Sequence, residues 1–153
     1  MTSWLSDEQA HKNRLLRLAW QRFQPHRERV TGLLRSSYEG SAGRLVVIGA
    51  GNCNDLDLPA LTSHFAEVHL IDIDAAALAA AREIQPGADW SRIRVHGGVD
   101  ITGVFDRLSS WNEERPASLD DFQSLTVELR ARTDLPLDQL GIEPADVVAS
   151  VCV

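Results

Sequence analysis

The stretch that most constrains the fold is residues 44–55, Arg-Leu-Val-Val-Ile-Gly-Ala-Gly-Asn-Cys-Asn-Asp. Leu45 to Ile48 is wholly apolar and mostly β-branched, which suits a short strand buried on both faces. Gly49, Ala50 and Gly51 follow at once. Two glycines around one small residue let the backbone turn tightly after a strand and approach a ligand closely. A helix start is expected within a few residues, because Asn54, Asp55 and Asp57 are good caps and Pro59 suits a first turn. Strand, glycine turn and helix N-terminus is a layout that binds nucleotide-type cofactors. A plain turn between a strand and a helix carries the same residues, so this stretch alone leaves both readings open.

The rest of the chain narrows the choice. At 153 residues it holds one domain at most, with room for a core. Apolar content of 44% and charged content of 24% are those of a soluble globular chain. No apolar run nears the ~20 residues of a membrane span, and the first residues lack the basic-then-apolar order of a signal peptide. The expectation is a cytoplasmic protein without a membrane partner. Cys53 and Cys152 form no metal or disulfide pattern.

Charge is uneven. Residues 1–43 carry seven basic side chains against four acidic ones, although the whole chain has a net charge of −7. Either this is a basic arm for an anionic partner, or it is a solvated helix face docked on its own acidic body. The second is favoured, because no aromatics are interleaved for base stacking.

In chain order, Ser6 to Gln9 has the form of a capping box. Leu16, Ala19, Trp20 and Phe23 then repeat at helical spacing. Pro25 breaks this run or starts a second helix, and Val30, Leu33 and Leu34 continue the stripe to about Ser37. The N-terminal segment, residues 1–43, is thus one kinked helix or two. It covers one side of a sheet or forms a lid over a cofactor.

Leu58, Leu61 and Phe65 mark a short helix. Glu67 to Asp72 reads as a second strand ending on a carboxylate. Asp74 caps an alanine-rich helix, Ala75 to Ile84, stopped by Pro86-Gly87. Arg92 to His96 is a third strand, Asp100 to Trp111 a helix, and Ser118 to Arg132 a helix with Leu119, Phe122, Leu125 and Leu129 on one face. Ala145 to Val153 is a fourth apolar strand. Alternating strands and helices imply a parallel α/β sheet. Right-handed crossovers gather the glycine turn, Asp72, Asp100 and Ser150 at its ligand-binding edge.

Val46-Val47-Ile48-Gly49-Ala50-Gly51-Asn52-Cys53, Leu70-Ile71-Asp72-Ile73-Asp74, His96-Gly97-Gly98-Val99-Asp100-Ile101 and Ala145-Asp146-Val147-Val148-Ala149-Ser150 resemble, in order and spacing, four motifs of the class I S-adenosylmethionine-dependent methyltransferases. The resemblance covers Leu45 to about Val153. It implies a Rossmann-like, doubly wound parallel sheet over residues 44–153, truncated after the fourth strand, behind the N-terminal helical segment. It implies S-adenosyl-L-methionine as cofactor, held by Gly49, Ala50, Gly51, Asn52, Asp72, Ile73, Asp100 and Ile101. In that mapping the glycine loop lies under the methionine part, Asp72 takes the ribose hydroxyls, and Asp100 with the next backbone amide faces adenine. Asp72 stands 21 residues after Gly51, close to the ~20-residue spacing between glycine turn and ribose acid. Asp74 is expected to cap its helix rather than touch the ligand. For Asp100 a turn or cap role competes.

The chain departs from the family in two ways. Val47 and Cys53 stand where the family usually has an acid, an anchor for the cofactor's ammonium, and often a third glycine. Asp55 and Asp57 are the candidates to replace the acid. The family's sheet has seven strands, whereas this chain reaches only the fourth. A truncated product, a partial sequence, or a chain completed by another copy or partner at the exposed sheet edge is expected.

Other chemistries fit less well. Asn54 occupies the third small position of the dinucleotide fingerprint and would crowd the helix against the strand. Gly-x-Ser-x-Gly and His-Glu-x-x-His are absent, and the five histidines are scattered. No metal site is expected. Cys53 and Cys152 come near each other if the first and fourth strands are neighbours, with packing the commoner role. The four tryptophans, Trp4, Trp20, Trp90 and Trp111, are more often helix anchors than ligand platforms, and Trp90 and Trp111, in loops near the expected binding edge, are the two placed to flank a ligand.

Two functions follow. One is a methyltransferase cofactor-binding half, an enzyme if the chain is completed, with the catalytic residues unknown. Ser150, near the expected methyl site, is either a catalytic neighbour or a serine bonded to backbone. The other is a non-catalytic binding or scaffold module, or a truncated product without activity. The methyl acceptor is open among small molecule, protein and nucleic acid.

Overall fold

Pro25 divides the N-terminal segment into two helices. Proline has no N–H to donate inside a helix but suits its first turn. The computed structural model, which describes residues 4–17, 19–40, 42–111, 116–131 and 138–151, accordingly has α1 at Trp4–Leu16 and α2 at Gln24–Ser36, with Pro25 in the first turn of α2. Ser6 falls inside α1 rather than at its cap, so the Ser-x-x-Gln pattern does not mark this helix start. Beyond Leu16 the stripe through Ala19, Trp20 and Phe23 runs through turns, not helix.

The strands fall where β-branched runs end on turn residues. They are β1 (Arg44–Ile48), then, after the short helix α3 (Leu58–His64), β2 (Glu67–Asp72). Helix α4 (Ala75–Ile84) leads to β3 (Ile93–Gly97). Helices α5 (Phe105–Ser109) and α6 (Leu119–Ala131), then a 3-10 turn at Asp138–Leu140, precede β4 (Val147–Ser150). All pairings are parallel, in the order β3-β2-β1-β4, with Val47 opposite Leu70 and Ala149, and Asp72 opposite Gly97. The connections run outward from β1 to β2 to β3 and then return past β1 to β4. That reversal opens a crevice at the strands' C-terminal ends.

One face of the sheet carries Leu45, Val47, Val68, Leu70 and Ile93. It packs with Leu34 of α2, Leu58 and Leu61 of α3, Phe65, and Leu78 and Ala81 of α4. Phe65 and most of these residues are fully buried; each such leucine or phenylalanine contributes about 1.5–3 kcal/mol. On the opposite face Val46 and Ile71 are equally buried. The N-terminal edge is tied by Arg44, whose backbone N–H donates to Asp146 Oδ2 at 2.7 Å and whose Nε donates to Glu67 Oε2 at 2.7 Å.

Three expectations are corrected. The helix from Asp100 to Trp111 shrinks to Phe105–Ser109, because residues 101–103 are bends around Asp100. The stripe on α6 does not pack as a unit: Leu125 is buried, but Leu119 and Phe122 stay more than half exposed. The fourth strand is Val147–Ser150, and residues 152–153, with Cys152, lie outside the described residues. Val148 on the outer strand β4 is 55% exposed. Among the described residues no helix is long and apolar enough to cross a membrane.

Candidate functional site

The cavity at the C-terminal strand edge begins with the turn after β1. Gly49 and Gly51 have φ of 74° and 49°, a region that costs a side-chain-bearing residue about 1–2 kcal/mol. A Cβ on Gly51 would also stand 3.3 Å from Asn13 Oδ1. The backbone N–H groups of Gly49 and Ala50 both donate to Ile71 O, at 2.9 and 3.2 Å. The turn is thereby pinned against β2. Cys53 is the only described non-glycine residue with positive φ, at 55°. It is buried, and burial pushes its thiol far above the ordinary range.

Asp72 closes β2 and is 7% exposed. Its Oδ2 accepts the Gly51 N–H at 2.8 Å and its Oδ1 accepts the Asp74 N–H at 2.8 Å. Burial raises its pKa, against the lowering effect of these two backbone bonds. An ionised carboxylate has about four lone-pair positions, so Asp72 keeps acceptor capacity for a ligand hydroxyl. Asp74 is a helix cap: Oδ1 accepts from Ala76 and Ala77 N–H, and Oδ2 accepts from Asn13 Nδ2 at 2.9 Å. Asp100 also organises its own loop. Its Oδ1 accepts from Thr102 N–H and Oγ1, and its Oδ2 from Phe105 N–H at 2.8 Å.

The cavity holds about 250 Å³, and its wall includes Gly49, Ala50, Gly51, Asn52, Asp72, Ile73, Asp100 and Ile101. The rest is largely what sequence reasoning missed: Gln9, Asn13 and Leu16 of α1, Phe23, Asn54, Val99 and Phe105. Helix α1 touches both α4 and α5, so it lies across the strand edge as a roof. Asn13 fastens it. Besides the bond to Asp74, its backbone oxygen accepts from Asn52 Nδ2 at 2.6 Å. Arg17 pairs with Glu83 of α4. Of the two roles expected for the N-terminal segment, α1 takes that of a lid, but no pattern in residues 4–17 announced Asn13 and Arg17 as its fasteners, because each partner lies dozens of residues away.

One basic residue of the N-terminal segment, Arg27, turns inward, while the other six are exposed. Arg27 is 7% exposed, stacks on Trp20 with its guanidinium carbon 3.4 Å from the ring centre, and donates to Asn54 O at 3.1 Å. Burial pulls its pKa down, opposed by Asp57, Glu28 and Asp55.

Two sequence candidates sit elsewhere. Trp90 lies in the loop entering β3, at the opposite edge, where its indole N–H donates to Gln85 O at 3.1 Å. Trp111 packs edge-on against Phe122 of α6, 4.9 Å away. Neither lines the cavity. Ser150 pairs with Ile48 in the sheet, and its neighbour Val151 reaches the cavity instead. Asp57 caps α3 through the Ala60 N–H at 3.0 Å, whereas Asp55 lines the cavity. Among the described residues no cluster of three histidine, cysteine or acidic side chains is disposed to hold a metal ion.

Neither protein-family models, nor curated proteins, nor solved structures give a match to this chain.

Proposed function

We propose that this cavity is the S-adenosylmethionine site of a Rossmann-like methyltransferase domain, with the described sheet as its cofactor-binding part. One observation carries the reading: all eight residues expected to contact the cofactor line a single cavity at the crevice where the strand order reverses. The wall chemistry fits an adenosyl group. Asp72 keeps lone pairs for ribose hydroxyls, and Ile73, Val99, Ile101 and Phe105 give apolar surface for a base. The positive φ of Cys53 supports the mapping too, since the resemblance often places a glycine at that position.

When bound, the cofactor supplies an electrophilic methyl on a sulfonium. The chain's part is to hold it in line with an acceptor, a contribution of position and orientation. The described wall offers only Asp55, Asp72 and Asp100 as acid–base groups and no histidine, lysine, tyrosine or cysteine. That composition favours a second reading, a module that binds the cofactor without turning it over.

Titration calorimetry with S-adenosylhomocysteine tests the binding claim. Heat that saturates at ligand concentrations up to about 1 mM, equivalent to −4 kcal/mol, is expected. A folded sample that gives none refutes both readings. Release of S-adenosylhomocysteine from S-adenosylmethionine in the presence of a methyl acceptor would then separate enzyme from module.

A further inference from the structure

The three aspartates in the cavity wall are not equivalent. At Asp72 and Asp100 each carboxylate oxygen already accepts a backbone N–H. Asp55 differs. It is 6% exposed, yet its Oδ1 accepts no hydrogen bond. His26 Nε2 stands 3.5 Å from that oxygen, too far for a good hydrogen bond. The preceding residue repeats the pattern. Asn54 is 7% exposed and its Nδ2 donates to Leu16 O at 2.9 Å, which fixes the amide and leaves Oδ1 without a donor. A buried polar atom left unpaired costs about 1–3 kcal/mol. Two such acceptors on adjacent residues of one cavity wall therefore call for a ligand that brings donors.

We infer that Asp55 and Asn54 form a cation subsite that seats the ammonium group of the cofactor's amino-acid tail. The inference rests on the cofactor reading above and adds the residues that hold its charged end. An ammonium carries three N–H donors and a positive charge, which answers both open acceptors and the carboxylate. A sulfonium has no N–H and would leave them unpaired. The placement agrees. Asp100 follows the third strand, Asp72 ends the second, and Asp55 lies in the loop after the first, beside Phe23 and His26. A ligand with its ribose at Asp72 extends its tail along the edge toward Asp55. Val47 explains why the charge sits there. It is fully buried in the apolar core, so an acid at that position would be buried among leucines.

The test compares two probes by calorimetry: S-adenosylhomocysteine and its deamino analogue, in which hydrogen replaces the amino group. The wild-type chain should bind the first about tenfold more tightly or better, a 1.4 kcal/mol difference. Asp55→Asn keeps the shape and removes the charge. It should bring S-adenosylhomocysteine down to the affinity of the deamino analogue and leave the analogue's own affinity within twofold. Equal binding of both probes by the wild type overturns the inference while the cofactor reading stands, and needs no variant. Equal weakening of both probes by Asp55→Asn overturns it as well, by assigning Asp55 a structural role. Binding of neither probe to the folded wild type overturns the subsite and the cofactor reading together.

Discussion

The Gly51 N–H donates to Asp72 Oδ2 across 2.8 Å. This bond joins the turn after the first strand to the end of the second. The other oxygen of Asp72 takes the Asp74 N–H, so one buried carboxylate sets two loops of the cavity wall. Asp72→Ala should therefore act twice. S-adenosylhomocysteine affinity should fall more than tenfold, over 1.4 kcal/mol. Chemical denaturation should also show a loss of about 1–3 kcal/mol from the two backbone donors left behind. Unchanged affinity in calorimetry would remove Asp72 from the ligand site.

Gly51 is held to its residue type by backbone and by neighbour. With φ at 49° and a would-be Cβ 3.3 Å from Asn13 Oδ1, Gly51→Ala should destabilise the fold by about 1–2 kcal/mol. Urea denaturation measures it. A variant as stable as the parent would mean the turn relaxes to negative φ without cost.

Asp74 offers a separable effect. It caps α4 through two backbone N–H groups and anchors Asn13 of α1. Asp74→Ser retains a cap oxygen and Asp74→Ala does not, so the alanine variant should be less stable by about 1 kcal/mol. Amide hydrogen exchange should show α1 opening faster in the alanine variant. Identical α1 exchange in parent and alanine variant would show that the roof is held by other contacts.

The histidine pair on β2 and β3 makes stability depend on pH. His69 Nδ1 and His96 Nε2 are 2.9 Å apart, with the rings stacked at 5.1 Å. Burial, and next the neighbouring His69, lower the His96 pKa from 6.5, with Glu67 opposing. The unfolded chain then binds the proton more readily, so stability should fall as pH drops through about 6.5 toward the folded value. His96→Gln should flatten the slope between pH 7.5 and 5.5 in urea titrations. Glu67 acts in a lower window. The bond from Arg44 lowers its pKa from 4.5, so its contribution is present above 4.5 and is lost as pH falls through the lower folded value. A slope unchanged by His96→Gln would assign the upper window to another group.

Local chemistry made several elements legible in advance. The second strand has the expected bounds, Glu67–Asp72, because its apolar run ends on a carboxylate. Helix α4 matches Ala75–Ile84 because Asp74 caps it and Pro86-Gly87 ends it. The same local rules failed where a side chain had a competing use. Ser6-x-x-Gln9 looked like a cap but sits within α1. Asp100 looked like a helix start but folds its loop back through Thr102 and Phe105. Of its two readings, anchor or ligand flank, Trp90 takes the first, closing the opposite edge of the sheet.

By itself the sequence determined the parallel alternation, the glycine turn and the carboxylate ending the second strand. Those depend on side-chain period and turn preference within a few residues. Only the tertiary structure decided which carboxylates are already occupied, and that the N-terminal segment roofs the cavity through α1, with Asn13 as its anchor. Asn13 reaches Asn52 and Asp74 across 39 and 61 residues, and Asn54 reaches Leu16 across 38. Hydrogen bonds over such separations are set by packing, which no local pattern encodes. They leave Asp55, first noted as a helix cap or replacement acid, as the aspartate in the wall of the site whose Oδ1 accepts no hydrogen bond.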